Sequence, residues 1–203
     1  MMTLYDSRYS GNGWKVRQLL SHLQIPFERK ELNLALGEAR TPELLALNPL
    51  ARVPVLHLED GRALRESNAI LLYLAHGTPY LPAGADACTE ILQWLFFEQY
   101  DHLKNFARPR FLVSIAKSAS VDSLEVISLL EQGRKALAIM DAHLHGRNYL
   151  ACDQYTVADI ALFPYTAMAP MGGYDLQPYP NVRSWLARVR DQPGSLALPL
   201  APA

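Results

Sequence analysis

The sequence predicts two domains of different class, an α/β domain followed by an all-α domain. Through about residue 80, short apolar runs of strand length alternate with segments of helical periodicity, whereas beyond residue 84 only helical periodicity continues. Between them, the segment GTPYLPAG at 77–84 is rich in Pro and Gly, which is typical of a linker. We therefore assign residues 1–80 to the α/β domain and residues 86–203 to the all-α domain.

The elements of the first domain follow from the spacing of apolar residues and from turn residues. In order, the sequence predicts a strand at 3–5, a helix at 13–24, a strand at 27–32, a helix at 41–47, strands at 53–58 and 63–64, and a helix at 67–76. Thr41 suits the cap of the short helix and Pro42 its first position. Asp60-Gly61 is typical of a hairpin turn between the last two strands. The order βαβ followed by ββα predicts a small mixed sheet with helices packed against it.

The second domain consists of helical patterns without strand-like alternation. They cover about 88–107 with a continuation towards 119, then 122–146, 156–170 and 181–192. Asp122 is placed to cap the second of these helices, and Gly146 to end it. Thr156 and Asp159 form a capping-box pattern, which indicates a structural role at the start of a core helix. The segment LALPLAPA at 196–203 is expected to be a loosely packed tail.

Composition argues against several classes of function. The 203 residues are 50% hydrophobic and 19% charged, as in globular proteins, and the net charge of -1 provides no basic surface for nucleic acid. The N-terminus lacks the pattern of a signal peptide and no apolar run reaches the length of a membrane span, so we expect a cytoplasmic protein. Cys88 and Cys152 are far apart and outside any metal-binding spacing, which favours two free thiols. Thiol chemistry would then use a thiol from another molecule.

A polar turn stands between the first predicted strand and the first helix. Its residues Ser10, Gly11, Asn12 and Gly13 are typical of a tight turn, because Gly tolerates positive φ and Ser and Asn bond their own backbone. The same turn would gather unpaired backbone N–H groups at the positive end of a helix dipole, which favours a bound anion such as a thiolate or a carboxylate. The sequence leaves both interpretations open.

A proline opens the predicted strand at 53–58, where it cannot donate to a sheet ladder. If the Val53–Pro54 bond is cis, the N–H and C=O groups of Val53 turn outward and can pair with an extended ligand as a neighbouring strand would. A trans proline at the start of a strand is the alternative, and trans is the commoner isomer.

Glu66 and Ser67 stand at the turn from the last predicted strand to the helix at 67–76. Ser67 suits the N-cap of that helix, or its free backbone N–H could bind a ligand carboxylate. Glu66 could accept a hydrogen bond from an ammonium group. Together they suit the end group of an α-amino acid, although an ordinary helix cap beside an exposed glutamate explains the same pattern.

Taken in order, these motifs resemble the glutathione transferase family. Ser-x-Asn-Gly follows the first strand, Val53-Pro54 opens the third, Glu66-Ser67 precedes the third helix, and TVADIALFPY at 156–165 lies in an all-α second half. The turn resembles the Ser-x-Asn type of bacterial nu-like or theta-like members. The resemblance covers nearly the whole chain and implies a thioredoxin-like first domain that binds glutathione, a helical second domain that forms most of an electrophile pocket, and a homodimer.

The resemblance also implies roles for individual residues. Ser10 is expected to be the principal hydrogen-bond donor to the glutathione thiol, Asn12 the second donor and Tyr9 an alternative. The expected glutathione-binding residues are Arg52, Val53, Pro54, Glu66, Ser67 and, as a weaker candidate, Arg40. The expected lining of the electrophile pocket is Tyr100, Phe106, Arg108 and Met168, although core packing explains aromatic residues in this stretch equally well.

The implied function is a glutathione transferase that converts the thiol of glutathione, its co-substrate, to a thiolate for attack on a small soft electrophile. No metal, bound cofactor, nucleic acid or membrane is expected to take part. Two alternatives stay open: a glutathione-dependent disulfide or peroxide reductase, and a non-catalytic binding module with the same fold. No cysteine stands at the turn, which argues against chemistry through a mixed disulfide on the protein.

Overall fold

The computed structural model describes residues 1–200, and its first part is built on a four-stranded mixed sheet. The elements of this part are β1 (Thr3–Asp6), α1 (Gly11–His22), β2 (Glu28–Glu31), α2 (Pro42–Leu47), β3 (Val55–His57), β4 (Ala63–Arg65) and α3 (Ser67–Ala75). The strand order is β2-β1-β3-β4, with β1 parallel to β2 and the other two pairs antiparallel. The predicted mixed sheet is confirmed.

Most boundaries shift by one or two residues, and the start of each of two elements shifts for a clear physical reason. The strand predicted at 53–58 is shortened to β3, since Pro54 has no N–H for the ladder. The helix predicted at 13–24 begins earlier, at Gly11, because the Ser10 side chain caps it there.

The second part is helical throughout and confirms the all-α prediction. Its helices are α4 (Ala85–Phe97), α5 (Leu103–Arg110), α6 (Leu124–His143), α7 (Val157–Ala167) and α8 (Pro180–Arg190). The first long helical pattern is interrupted by two π-helical turns, Glu98–His102 and Phe111–Ile115, which the sequence did not predict. These wider turns change the direction of the side chains that follow, and the first of them contains Glu98, which contacts Lys15 of α1.

The predicted helix caps of the second part have different outcomes. The capping box of α7 is confirmed: Thr156 N donates to Asp159 Oδ2 at 2.9 Å and the Thr156 side chain accepts from the helix backbone. The predicted cap of α6 is wrong, because Ser123 rather than Asp122 stands at its N-cap and makes no side-chain capping bond. Within residues 1–200, no helix combines the length and the apolar character needed to cross a membrane.

A C-terminal strap, defined as residues 194–199, runs back along α1. Trp14 Nε1 donates to Leu196 O at 3.3 Å and to Ala197 O at 3.0 Å. Gln18 donates through Nε2 to Gly194 O at 3.2 Å and accepts through Oε1 from Leu196 N at 2.7 Å. The expectation of a loose tail is therefore wrong for this segment, because its backbone is hydrogen-bonded to the first helix. Residues 201–203 lie outside the described residues.

Candidate active site

Three loops of the α/β part meet at one edge of the sheet. The register pairs Tyr5 at the end of β1 with Val55 at the start of β3, and Val55 with Arg65 at the end of β4. The turn after β1, the loop before β3 and the turn after β4 therefore leave the sheet side by side. All three contain residues that the sequence singled out, so the fold brings the three motifs together.

Ser10 stands at the N-cap of α1. Its Oγ accepts a hydrogen bond from Gly13 N at 3.0 Å. A hydroxyl that accepts this bond keeps its own proton, so Ser10 can still donate to an anion beside the turn. Gly13 is required here, because a Cβ at this position would collide with the Asp6 carboxylate. The turn therefore caps the helix and also leaves the Ser10 hydroxyl proton available to a ligand.

The other polar residues near this turn differ in what they offer a ligand. Asn12 Oδ1 is buried and makes no hydrogen bond within residues 1–200, so a ligand N–H would complete it. Tyr9 is partly exposed, and its carbonyl oxygen accepts from Arg110 Nη1 at 2.9 Å. Tyr5 is committed elsewhere, because its hydroxyl donates to Glu43 Oε1 at 2.9 Å. Tyr9 is thus a tyrosine adjacent to the turn whose hydroxyl makes no hydrogen bond within residues 1–200.

The Val53–Pro54 peptide bond is cis. The N–H and C=O groups of Val53 make no hydrogen bond with any of residues 1–200. Unpaired peptide groups beside a sheet edge are available to an extended ligand, which can add there as a short strand. The loop is held from behind by Asn48, whose Nδ2 donates to the Arg52 carbonyl at 2.8 Å.

Glu66 occupies the N-cap of α3 with a φ of 64°, an uncommon conformation for a residue with a side chain. Ser67 is the first helical residue, so the prediction that Ser67 caps the helix is wrong. Within residues 1–200, no side chain accepts from the first N–H groups of α3. These N–H groups are therefore free for a ligand carboxylate, which is the second of the two roles that the sequence allowed.

A groove of about 470 Å³ opens beside this helix N-terminus. Its lining residues are Leu50, Ala63, Leu64, Arg65, Glu66 and Ala69. The volume falls within the roughly 300–1,000 Å³ that small-molecule sites occupy.

The remaining predicted binding residues lie at the surface. Arg52 belongs to the loop before β3, and its side chain is exposed at the converging edge. Arg40 is exposed in a 3₁₀ turn that precedes α2. Arg52 is therefore the better placed of the two arginines to meet a ligand carboxylate.

The four residues predicted to line an electrophile pocket are not brought together. Phe106 and Met168 are each 1% exposed and belong to the core. Tyr100 is 87% exposed, and Arg108 donates to Glu125 Oε1 at 2.9 Å on the surface. The lining of that pocket stays a prediction.

A buried ion pair behind the Glu66 turn was missed by sequence analysis. Lys15 Nζ lies 2.6 Å from Glu98 Oε1, and both side chains are 0% exposed. Lys15 Nζ also lies 3.5 Å from Ser67 Oγ, and Glu98 Oε2 accepts from Asn68 Nδ2 at 3.0 Å. Burial lowers the pKa of Lys15, and the Glu98 charge opposes that shift. The pair connects α1 and the start of α3 to the helical part.

Tyr165 of α7 also reaches the Ser10 turn. Its side chain is 7% exposed, and a Cβ on Gly11 would lie 2.7 Å from its Cζ. Burial raises the pKa of Tyr165 to about 12, although the Arg110 charge and the backbone N–H groups of Asn12 and Gly11 lower it. A neutral phenol therefore faces the N-terminus of α1. No local pattern in the sequence marks Tyr165 or Arg110 for this position.

The two thiols of this chain lie outside the converging edge. Cys88 and Cys152 are free and partly buried, and burial raises the pKa of Cys152. Among the residues that the structure describes, no three or more His, Cys, Asp or Glu side chains are grouped to hold a metal ion. The groups that converge are a hydroxyl, an amide, free peptide groups and a carboxylate.

Comparison with known proteins identifies the family. The N-terminal domain of glutathione S-transferase matches residues 9–76, and the C-terminal domain of glutathione S-transferase matches residues 106–193. The chain belongs to the glutathione S-transferase family. Its α/β part is the thioredoxin-like domain of that family and its helical part is the C-terminal domain, so the predicted fold class and family are confirmed.

The glutathione S-transferase relatives are similar over nearly the whole chain. Glutathione S-transferase 3 of Zea mays is 32% identical, with 99% of this chain and 96% of the maize protein covered. A possible glutathione S-transferase from Rhodopseudomonas palustris is 40% identical with a TM-score of 0.94, and 99% of both chains is covered. The yeast prion protein Ure2p in complex with glutathione is 26% identical with a TM-score of 0.86, covering 96% of this chain and 91% of that one.

Proposed function

We propose that this family member is a glutathione transferase whose Ser10 turn stabilises the glutathione thiolate for attack on a small soft electrophile. One observation carries the proposal. A hydroxyl with a free proton, the unpaired peptide groups of Val53 and the free N–H groups at Glu66-Ser67 leave the sheet at the same edge. An extended tripeptide with a thiol in its middle residue has groups complementary to all three.

Glutathione is γ-Glu-Cys-Gly, and each part has a partner at this edge. The α-carboxylate of the γ-glutamyl group would accept from the N–H groups at Ser67, and its ammonium would donate to Glu66. The cysteinyl backbone would pair with Val53, next to Pro54. Arg52, or less directly Arg40, would meet the glycine carboxylate. The thiol would then lie beside Ser10 and Asn12, with Tyr9 as the alternative donor.

Thiolate formation requires little stabilisation energy. A thiol with a pKa of about 8.5 is only a few per cent ionised at neutral pH, and the thiolate is the nucleophile. Lowering the pKa by about two units requires roughly 2.7 kcal/mol of preferential binding of the thiolate. A hydrogen bond to a charged acceptor contributes about 1.5–3 kcal/mol, and a helix N-terminus adds to it. Ser10 and the N-terminus of α1 together suffice for this shift.

The chemical step is attack of the thiolate sulfur on an electrophilic carbon. In a substitution the new C–S bond forms as the leaving group departs with its electron pair, and in a conjugate addition the product carbanion takes a proton from solvent. The electrophile would enter from the helical domain, where Tyr100, Phe106, Arg108 and Met168 are the candidates from the sequence. Of these four, Tyr100 and Arg108 lie at the surface, and Phe106 and Met168 lie in the core.

Several finer features belong to the same proposal. The Ser10-x-Asn12 turn supports a bacterial member of the nu-like or theta-like type. A homodimer in the cytoplasm, with domains at 1–80 and 86–203, agrees with the family. The exposed aromatic side chains of Tyr73, Phe96 and Tyr100 support an interface between subunits, because large apolar groups rarely stay open to water in numbers.

A non-catalytic binding module is the second candidate function. Similarity to Ure2p in complex with glutathione favours it, since that structure is named for its ligand and not for a transferase reaction. The two candidates share the binding edge and differ in whether the bound thiol is ionised.

The test is an ultraviolet titration of the thiolate of bound glutathione, on wild type, Ser10→Ala and Ser10→Thr. The transferase proposal expects ionisation well below the pKa of free glutathione in wild type. Ser10→Ala should reverse most of that shift, and Ser10→Thr, which keeps the hydroxyl and the helix cap, should retain it.

Each other result has a definite meaning. Tight binding without a shift of the thiol pKa in wild type would favour the binding module. A shift that survives Ser10→Ala would move the donor role to Asn12 or Tyr9, which Asn12→Ala and Tyr9→Phe would separate.

A further inference from the structure

Arg110 is a buried side chain that reaches across from the helical domain to the turn after β1. Its Nη1 donates to the Tyr9 carbonyl at 2.9 Å, and its Nη2 donates to the carbonyl of Pro199 in the C-terminal strap. The residue is only 3% exposed. Arg110 therefore contacts the residue that precedes Ser10, and both of the oxygens that accept from it are uncharged carbonyls.

The Arg110 charge has no carboxylate partner among residues 1–200. The buried Lys15 differs in this respect, since it pairs with Glu98. In addition, Arg110 Nε is buried and makes no hydrogen bond within residues 1–200. An uncompensated charge inside a protein is costly, so buried charges are ordinarily paired.

Tyr165, the ionisable group whose charge acts on Arg110, does not compensate this cation. Tyr165 raises the pKa of Arg110, while burial of Arg110 is the larger influence and lowers that pKa. Burial raises the pKa of Tyr165 to about 12, so the phenol is neutral over the range in which the protein would work. The cation and the phenol thus flank the N-terminus of α1, and neither brings a negative charge to it.

We propose that Arg110 is a positioning residue of the active site that holds the turn through the Tyr9 carbonyl and supplies the positive charge opposite the glutathione thiolate. The inference rests on the proposed function, because the thiolate is the anion that completes the charge. A fixed cation in a poorly solvated place favours the ionised form of an acid nearby, even without direct contact. Arg110 thereby stabilises the thiolate at a distance, in addition to the direct hydrogen bond from Ser10.

The experiment measures the thiol pKa of bound glutathione by ultraviolet titration in wild type, Arg110→Gln, Arg110→Lys and Gln18→Met. Arg110→Gln removes the charge, and Arg110→Lys keeps it with fewer hydrogen bonds. Gln18→Met is the matched control, because it removes two hydrogen bonds between the strap and α1 without removing a charge. Folding of each variant is checked by circular dichroism.

We expect Arg110→Gln to raise the thiol pKa by about one unit, which lowers the thiolate fraction at pH 7 about threefold when the wild-type pKa is about 6.5. Arg110→Lys should raise it less than half as much, and Gln18→Met should leave it where it is. An unchanged pKa in Arg110→Gln overturns the proposal. Equal shifts in Arg110→Gln and Arg110→Lys, or a comparable shift in Gln18→Met, also overturn it, because geometry rather than charge would then be responsible.

A second measurement uses wild type alone and does not depend on folding of the neutral variant. The Nε–H nuclear magnetic resonance signal of Arg110, assigned by its absence from Arg110→Lys, is followed while bound glutathione is titrated. It should shift with the same midpoint as the thiolate absorbance, and a signal without that midpoint overturns the proposal. If the pKa of the bound thiol is lowered in wild type but does not respond to changes at Arg110, this inference alone is wrong. If no thiolate forms in wild type, the proposed function is wrong and the inference with it.

Discussion

Two buried cations lie where the two domains meet, and they differ in their partners. Lys15 is 0% exposed and forms a 2.6 Å ion pair with Glu98. Arg110 is 3% exposed and donates to the backbone carbonyls of Tyr9 and Pro199. The first cation is neutralised by Glu98, and the second has no carboxylate partner among residues 1–200.

The difference separates a structural role from a functional one. Lys15 and Glu98 compensate each other, so their pair needs no ligand and fixes α3 relative to the helical domain. Arg110 carries a net charge to the turn that would hold a thiolate. The comparison predicts that removing Lys15 harms folding most, whereas removing Arg110 harms folding little and alters the site.

The largest effect is expected from breaking the Lys15–Glu98 pair. Lys15→Met or Glu98→Gln alone should reduce the free energy of unfolding by about 3–5 kcal/mol, because each leaves a buried group uncompensated. The double variant should recover most of that loss, since Gln at position 98 can still accept from Asn68. Denaturation by urea measures all three. A double variant as unstable as the sum of the singles would contradict the pairing.

An intermediate effect is expected from His102, a buried neighbour of this pair. Its Nε2 donates to Thr166 Oγ1 at 2.8 Å, and burial, followed by the Lys15 charge, lowers its pKa to about 3. The unfolded chain takes up a proton below pH 6.5 and the folded chain does not, so stability is lost as pH falls through 6.5. From pH 7 to pH 5 the loss should be about 2 kcal/mol.

The control for this pH dependence is His102→Phe, which keeps an aromatic ring against Phe106. Its free energy of unfolding should change less than that of wild type between the two pH values, whatever its absolute stability. A loss of the same size in both proteins would assign the acid sensitivity to other groups.

The smallest effect on folding is expected from Arg110. Arg110→Gln should lower the free energy of unfolding by about 1 kcal/mol, because two hydrogen bonds are lost while an unpaired buried charge is also removed. Thermal unfolding of Arg110→Gln and Lys15→Met, measured under the same conditions, tests which substitution reduces stability more. If Arg110→Gln costs as much as Lys15→Met, the two cations are equivalent and the distinction between them is wrong.

Local patterns predicted the fold and one side of the candidate site. Ser10, Val53-Pro54 and Glu66 each stand where an element starts or ends, and such boundaries leave a short-range signature of turn and cap residues. Their convergence follows from strand order, which the sequence of βαβ and ββα units restricts strongly. The roles of these residues toward glutathione stay predictions.

The other side of the site depends on contacts that no local pattern contains. Lys15 meets a residue 83 positions away and Arg110 meets one 101 positions away, across the domain boundary. Lysine and arginine are usually exposed, so their burial contradicts the ordinary expectation from residue type. The π-helical turn at Glu98–His102, which places Glu98 inward, has no sequence signal comparable to a cap or a proline.

The strap along α1 has a consequence for how the protein forms during translation. Leu196, whose carbonyl accepts from Trp14, leaves the ribosome 182 residues after that tryptophan. The thioredoxin-like domain therefore emerges before the strap that accepts from the indole N–H of its first helix, and gains these hydrogen bonds only after the helical domain has been synthesised. Premature termination upstream of residue 194 would release a chain whose first helix is still exposed along one side.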